Sequence, residues 1–259
     1  MSIDTAVGTA MDSAVDIDLV VVLVAAVWGA ATGALLPRAA YRFSAPSGEA
    51  WRERCPDGHA VRGWLGRARC GQCPADQAPY GPRTASLAAT TALVCAALAA
   101  ATGTRPEAAV WLLLAPAGVL LAVVDLKVRR LPDPLTLPLA GAALALLGLT
   151  ALVPEHAGEW TTALLGALAL GAGYLVLFLI NPAGMGFGDV KLALTAGAVL
   201  GWYGWPTLML GTFAGFLLGA LYGGALLVAR RAHRKTAIPF GPFLVAGAFL
   251  GVLAGAYAA

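Results

Sequence analysis

Three aspartates stand at the edges of long uncharged stretches of this chain: Asp125 in Val123-Val124-Asp125-Leu126-Lys127, Asp133 in Leu131-Pro132-Asp133-Pro134, and Asp189 in Gly186-Phe187-Gly188-Asp189-Val190-Lys191. A carboxylate at bilayer depth costs on the order of 3 kcal/mol on insertion scales, so an ionisable group there marks function. Two carboxylates brought together cannot both ionise cheaply, and they share one proton. The ionised member then acts as base toward water while the protonated one polarises a peptide carbonyl. That is aspartic-peptidase chemistry, without a covalent intermediate. Asp125 and Asp189 are the expected catalytic pair. Each also has a plainer reading, Asp189 as an acidic helix start that complements the dipole and Asp125 as an ion-pair partner of Lys127 or Arg129. Asp133, between two prolines, reads first as a helix cap or structural support.

Gly186 and Gly188 precede Asp189. Glycine permits a substrate strand to approach backbone to backbone with the dihedrals this requires. Gly186, Phe187, Gly188 and Lys191, with Asp133, form the expected substrate-binding set.

These carboxylates need elements to position them, and composition says what kind. Of the 259 residues 59% are hydrophobic and only 12% charged, against about a quarter charged in an average soluble domain. A membrane helix needs roughly 20 apolar residues, and the uncharged intervals run 19–36, 84–104, 108–124, 134–154, 160–188, 192–229 and 236–259. The sixth is long enough for two spans and breaks at Gly201-Trp202-Tyr203-Gly204-Trp205-Pro206, where turn formers meet interface aromatics. The expected fold is all-α, a polytopic bundle of about eight transmembrane helices. Its parts are an extracytoplasmic tail over 1–18, a first transmembrane helix over 19–36, a cytoplasmic loop over 37–83, and a seven-helix membrane domain over 84–259. The first apolar segment has no basic flank before it and Arg38 and Arg42 after it, the charge order of a retained span rather than a cleaved leader.

With residues 37–83 inside, sixteen of the seventeen Lys and Arg residues fall on the inner face, leaving Arg105 outside, as cytoplasmic loops require. Glu107, Glu155, Glu159 and the acidic N-terminal stretch fall outside. All three aspartates then stand at inner helix ends at similar depth, where they can meet. The net charge of +3 sits on that face and reports insertion beside anionic lipid rather than a nucleic-acid partner. The glycine-rich stretches 166–171 and 215–219 offer small faces for close helix contact.

At this point the residues resemble a known family. Asn181-Pro182-Ala183-Gly184-Met185-Gly186-Phe187-Gly188-Asp189-Val190-Lys191-Leu192 resembles the Gly-x-Gly-Asp signature of type IV prepilin peptidases, and Asp125 followed by Leu131-Pro132-Asp133-Pro134-Leu135-Thr136 is similar to their other catalytic block. Ala237-Ile238-Pro239-Phe240-Gly241-Pro242-Phe243 looks like their last cytoplasmic loop, and residues 33–42 resemble loosely the end of their first span. The resemblance implies a multi-pass protein of the bacterial cytoplasmic membrane that cuts the basic leader from prepilins or pseudopilins at the cytoplasmic face. Asp125 and Asp189 would be its catalytic pair. The peptidase step would need no cofactor.

Many members carry two Cys-x-x-Cys pairs in the first cytoplasmic loop, binding zinc, and some also N-methylate the new amino terminus with S-adenosylmethionine. Here Cys70-Gly71-Gln72-Cys73 is intact, but the first pair reads Cys55-Pro56-Asp57-Gly58-His59. With His59 in place of the missing cysteine, Cys55, His59, Cys70 and Cys73 make a Cys3His tetrahedral zinc site. The alternatives are a loop that binds nothing or a redox-labile pair. S-adenosylmethionine enters only if the methyltransferase is retained. Cys95, inside the second span, reads as an inert core residue, while His156 and His233 read as solvated. An ion-coupled transporter, with carboxylates near mid-bilayer, and a non-catalytic assembly factor are the competing functions.

Overall fold

A computed structural model describes residues 3–74, 78–182, 184–229 and 238–259, with the backbone alone over 3–16. Eight helices follow one another: α1 Ile3–Phe43, α2 Thr84–Thr102, α3 Glu107–Val128, α4 Asp133–Thr150, α5 Trp160–Ile180, α6 Phe187–Gly201, α7 Trp205–Val228 and α8 Gly241–Ala258. Among the described residues the only β-pairing is an isolated bridge, Arg54 to Ala60. The chain is a multi-pass helical membrane protein. Arg230, Arg231, Arg234, Lys235 and His233, expected in the last inner loop, lie outside the described residues, as do Ala183 and Ala237 of the quoted motifs.

Seven of the helices are long and apolar enough to cross a membrane. The other is α6. Its 15 residues rise only about 22 Å, against a hydrocarbon core of about 30 Å. It is apolar all round because it is enclosed: every residue from Asp189 to Gly201 except Lys191 and Leu194 is buried, between α4, α5, α7 and α8. The break expected near Gly201–Pro206 is present, with α6 ending at Gly201 and α7 starting at Trp205.

Small residues bring the helices together where water gives no driving force. A β-carbon at Gly29 would lie 2.5 Å from Thr91 O of α2, and one at Gly197 would lie 2.3 Å from Gly166 O of α5. One at Gly247 would lie 2.4 Å from Gly211 O of α7. Gly166 and Gly215 thus serve the expected packing role. Cys95 is fully buried beside Ala25 and Ala99.

Helix α1 continues past Pro37, and the described part of the loop after it folds back on it. Gly66 donates to Leu35 O at 2.7 Å and accepts from Arg38 N–H at 3.0 Å. The Arg38 and Arg42 guanidiniums donate to Arg62 O and Gly63 O, both at 2.8 Å. The backbone polar groups left by the proline and by the irregular loop therefore find partners in each other.

At the opposite end of the bundle lie Glu107, expected only to fall on the outer side, and His156, which departs from its expected solvated position. Glu107 is fully buried, accepting at Oε1 from Ala157 N–H at 3.3 Å and Tyr203 OH at 3.4 Å. His156 is half-buried, with Nδ1 2.8 Å from Gly158 O and its ring 5.7 Å from that of Trp202. Both tie the α4–α5 connection to its neighbours.

Candidate functional site

Asp125 lies in the last turn of α3 and is 5% exposed. Its Oδ2 accepts a hydrogen bond of 3.0 Å from the N–H of Gly241, the first residue of α8. Asp189 lies in the first turn of α6, 6% exposed, and its Oδ2 accepts from Gly186 N–H at 3.1 Å. Each carboxylate is thus served by a free N–H at a helix start, where such donors lack intrahelical partners. Asp189 Oδ1 has no hydrogen-bond partner among the described residues. Asp125 has no cation within ion-pair distance among them, so pairing with Lys127 or Arg129 is not realised.

The two carboxylates open into one cavity of about 450 Å³. Leu131 spaces the elements that carry them. A β-carbon at Gly188 would lie 2.8 Å from Leu131 Cβ, and one at Gly241 would lie 3.4 Å from Leu131 Cδ1. Gly188 is therefore required where the start of α6 packs on the α3–α4 connection. Gly186, Phe187, Gly188, Lys191 and Asp133 all line the same cavity, so the structure gathers every residue of the expected catalytic and substrate sets in one place.

Asp133 does not cap α4. It is the first helical residue, no side-chain cap bond forms there, and Oδ1 instead meets Lys191 Nζ at 2.6 Å, with the Asp133 side chain 64% exposed. This ion pair ties the start of α4 to the first turn of α6, and Lys191 Nζ also lies 5.0 Å from the Phe187 ring centroid.

Five contributors escaped the sequence reading as site residues. Ser47 and Trp51 line the cavity from the loop after α1. Arg130 holds that wall, stacking 4.4 Å from the Trp51 ring centroid and donating to Pro46 O at 2.9 Å and Glu49 O at 3.3 Å. Leu131 and Gly241 are the others; the signal for Gly241 was the Pro239-Phe240-Gly241-Pro242 stretch. Tyr174 of α5 is buried nearby with its hydroxyl unpartnered among the described residues.

A second constellation lies in the loop. One ligand atom each of Cys55, His59, Cys70 and Cys73 falls within 4.8 Å of all the others. Cys55 Sγ is 3.6 Å from His59 Nδ1 and 3.8 Å from Cys73 Sγ, and His59 Nδ1 is 3.3 Å from Cys73 Sγ. Tetrahedral zinc with Zn–S of about 2.3 Å and Zn–N of about 2.05 Å separates S from S by about 3.8 Å and S from N by about 3.5 Å. The donor set fits zinc. Backbone hydrogen bonding at Gln72 brings the Cys70 thiol down to about 7. The Asp57 carboxylate, accepting from Cys73 Sγ at 3.1 Å, pushes that thiol up.

Residues 111–224 match the model of the type IV leader peptidase family. A prepilin leader peptidase/N-methyltransferase of Pseudomonas aeruginosa is 33% identical over 219 residues, covering 78% of this chain and 71% of that protein. The chain belongs to the type IV leader peptidase family. A relative of the same name from Aeromonas hydrophila is 36% identical over 200 residues, 74% of this chain. The chain spans 64% of the length of that Aeromonas relative. No solved structure matches significantly. The family match includes Asp125 and Asp189, while the loop cluster and Gly241 lie outside it.

Proposed function

We propose that this leader peptidase family member is a membrane aspartic endopeptidase that removes the basic leader of type IV prepilins or pseudopilins at the cytoplasmic face of the membrane. The observation that carries the reading is the pair Asp125 and Asp189, buried at two helix ends and opening into one cavity, with Asp189 Oδ1 left without a partner. A buried carboxylate oxygen kept unsatisfied calls for a reason, and reaction with substrate supplies one.

The pair holds one proton. The ionised carboxylate takes a proton from a bound water as its oxygen attacks the scissile carbonyl carbon. The protonated carboxylate gives its proton to the carbonyl oxygen, forming a neutral tetrahedral diol. As the C–N bond breaks, the protonated carboxylate gives its proton to the departing amine while a diol hydroxyl gives one to the other carboxylate, so that the pair again holds one proton. Gly186 borders the path of an extended substrate backbone, Gly188 lets α6 pack close on Leu131, Phe187 and Lys191 flank the path, and Asp133 holds Lys191 in place. The inner-face assignment rests on the distribution of Lys and Arg. The cavity and the cysteine loop share one end of the bundle, since Ser47 and Trp51 line the cavity.

Cys55, His59, Cys70 and Cys73 would hold zinc, which would tie the loop's two halves together. The relatives' names also carry an N-methyltransferase; in this chain that activity would draw on S-adenosylmethionine, and the mass of the mature pilin's amino terminus reports it. The deciding experiment is cleavage of a co-expressed prepilin from the same genome, scored by mobility shift at equal membrane abundance. Wild type cuts, and Asp125→Asn and Asp189→Asn each abolish cutting. Normal cutting by either variant removes the peptidase reading and favours a transporter or assembly factor.

A further inference from the structure

Helix α5 packs on α6 through small residues that fix the register between them. β-Carbons at Gly201 and Gly197 would lie 2.5 Å from Thr162 O and 2.3 Å from Gly166 O, and one at Gly171 would lie 2.4 Å from Leu194 Cδ2. The two helices are antiparallel, so each further turn of α5 meets a turn nearer the start of α6. One turn beyond Gly171, Tyr174 therefore stands level with the beginning of α6, and it shares one core cluster with Val190 and Ala193. Asp189 precedes Val190. It also continues the ridge of Gly201, Gly197 and Ala193 at the same four-residue spacing, which keeps side chains on neighbouring positions of a helix face.

The Tyr174 ring sits between Phe216 of α7 and Phe240, with centroid separations of 5.7 and 5.9 Å. Phe240 lines the aspartate cavity and immediately precedes Gly241, the donor to Asp125. A phenylalanine would fill this apolar stack as well as a tyrosine. Tyr174 is 2% exposed, and its hydroxyl is buried with no partner among the described residues. A buried hydroxyl costs free energy unless a partner takes its hydrogen bond. Asp189 Oδ1 is the complementary orphan, since a phenolic O–H donates and a carboxylate oxygen accepts.

We propose that Tyr174 is a positioning residue for the cutting reaction, its hydroxyl donating to Asp189 Oδ1 when substrate closes the site; this rests on the peptidase reading. Gly186 N–H already holds Oδ2, from the segment that leads into α6. A donor on Oδ1 from α5 fixes the carboxyl plane from a second helix, and a hydrogen bond to an ionised acceptor is among the stronger ones. Tyr174 stands behind the wall that Phe240 gives the cavity, so it acts through Asp189 and not on the substrate.

The test is Tyr174→Phe, which keeps the ring and removes only the hydroxyl, assayed with a prepilin and purified protein in lipid discs. Loss of a hydrogen bond to a charged group lowers kcat roughly ten- to hundredfold, with KM within about twofold of wild type. Because the lost hydroxyl had no partner, the unfolding midpoint in detergent titration stays at or above the wild-type value. A hydroxyl that serves only the packing gives the reverse, a lower midpoint at unchanged kcat. A kcat within about twofold of wild type overturns the proposal, as does a loss carried by KM or one that accompanies a lower midpoint. If the variant fails to fold, a fluorotyrosine at position 174, which keeps the hydroxyl, decides. In the Asp125→Asn protein its fluorine resonance shifts on addition of prepilin, and the shift vanishes when Asp189→Ala is added. No shift, or one that persists without Asp189, overturns the proposal. Normal cutting by Asp125→Asn refutes the peptidase reading separately, and the fluorine resonance still reports whether Tyr174 meets Asp189.

Discussion

A β-carbon added at Gly241 would lie 2.8 Å from Asp125 Oδ2 and 3.2 Å from its carboxyl carbon. Ordinary contact begins at 3.4 Å, so in Gly241→Ala the carboxylate must retreat by about 0.6 Å. The Gly241 N–H to Oδ2 bond, now 3.0 Å, then stretches to about 3.6 Å and ceases to be a hydrogen bond. A hydrogen bond to a charged group contributes about 1.5–3 kcal/mol, so its loss slows a reaction that needs the carboxylate in place by roughly 10- to 160-fold. The alanine variant is expected between wild type and the inactive Asp125→Asn. The assay is single-turnover cleavage of a prepilin by purified protein in lipid discs, with Gly141→Ala as the control for adding a methyl group where space is open. If Gly241→Ala cuts within twofold of wild type while Asp125→Asn is dead, the start of α8 does not position Asp125.

Replacing His59 by Ala removes one of the four donors of the proposed zinc site, and lost protein ligands lower metal affinity steeply; on that proposal wild type purifies with zinc by elemental analysis, His59→Ala loses most of it, and His59→Cys retains it. The Asp133–Lys191 pair is largely exposed on the Asp133 side, and such pairs contribute about 0–1 kcal/mol, so Asp133→Asn lowers kcat/KM by no more than about fivefold; a complete loss would place Asp133 in the chemistry. Glu107→Ala strips the acceptor from Ala157 N–H and Tyr203 OH, which costs about 1–3 kcal/mol for buried groups left unpaired. It lowers the unfolding midpoint in detergent titration, and Glu107→Gln, which keeps an acceptor, restores most of it.

The eight helices and the grouping of the aspartates were legible because charge is excluded from the bilayer. Gaps between charged residues therefore mark spans, and the exceptions at 125, 133 and 189 mark the site. What the gaps do not encode is which apolar helix faces lipid and which faces protein. Helix α6 shares its uncharged gap with α7, and only its packing explains why 15 residues suffice. Glu107 follows Arg105 and Pro106 and so reads as an outer-loop residue, yet it is sealed beneath Tyr203 and the α4–α5 connection. Nor does spacing place Ser47 and Trp51 beside Asp125, because that contact runs through Arg130 and the fold-back of the loop on α1.

That fold-back links the two constellations. Cys55 and Trp51 stand four residues apart in the same loop, and Trp51 also packs its ring 5.2 Å from that of Phe43 at the end of α1. One end of the loop is thus fixed to the aspartate cavity and the other is gathered by the Cys3His cluster. An irregular stretch of this length has few apolar contacts of its own and depends on such anchors for a single shape. Loosening the cluster would free the Ser47–Trp51 wall while leaving Asp125 and Asp189 on their helices. Such a change falls on substrate binding rather than on the chemical step, so His59→Ala raises KM for prepilin more than it lowers kcat. A fall in kcat at unchanged KM would mean instead that the loop acts on the aspartates themselves.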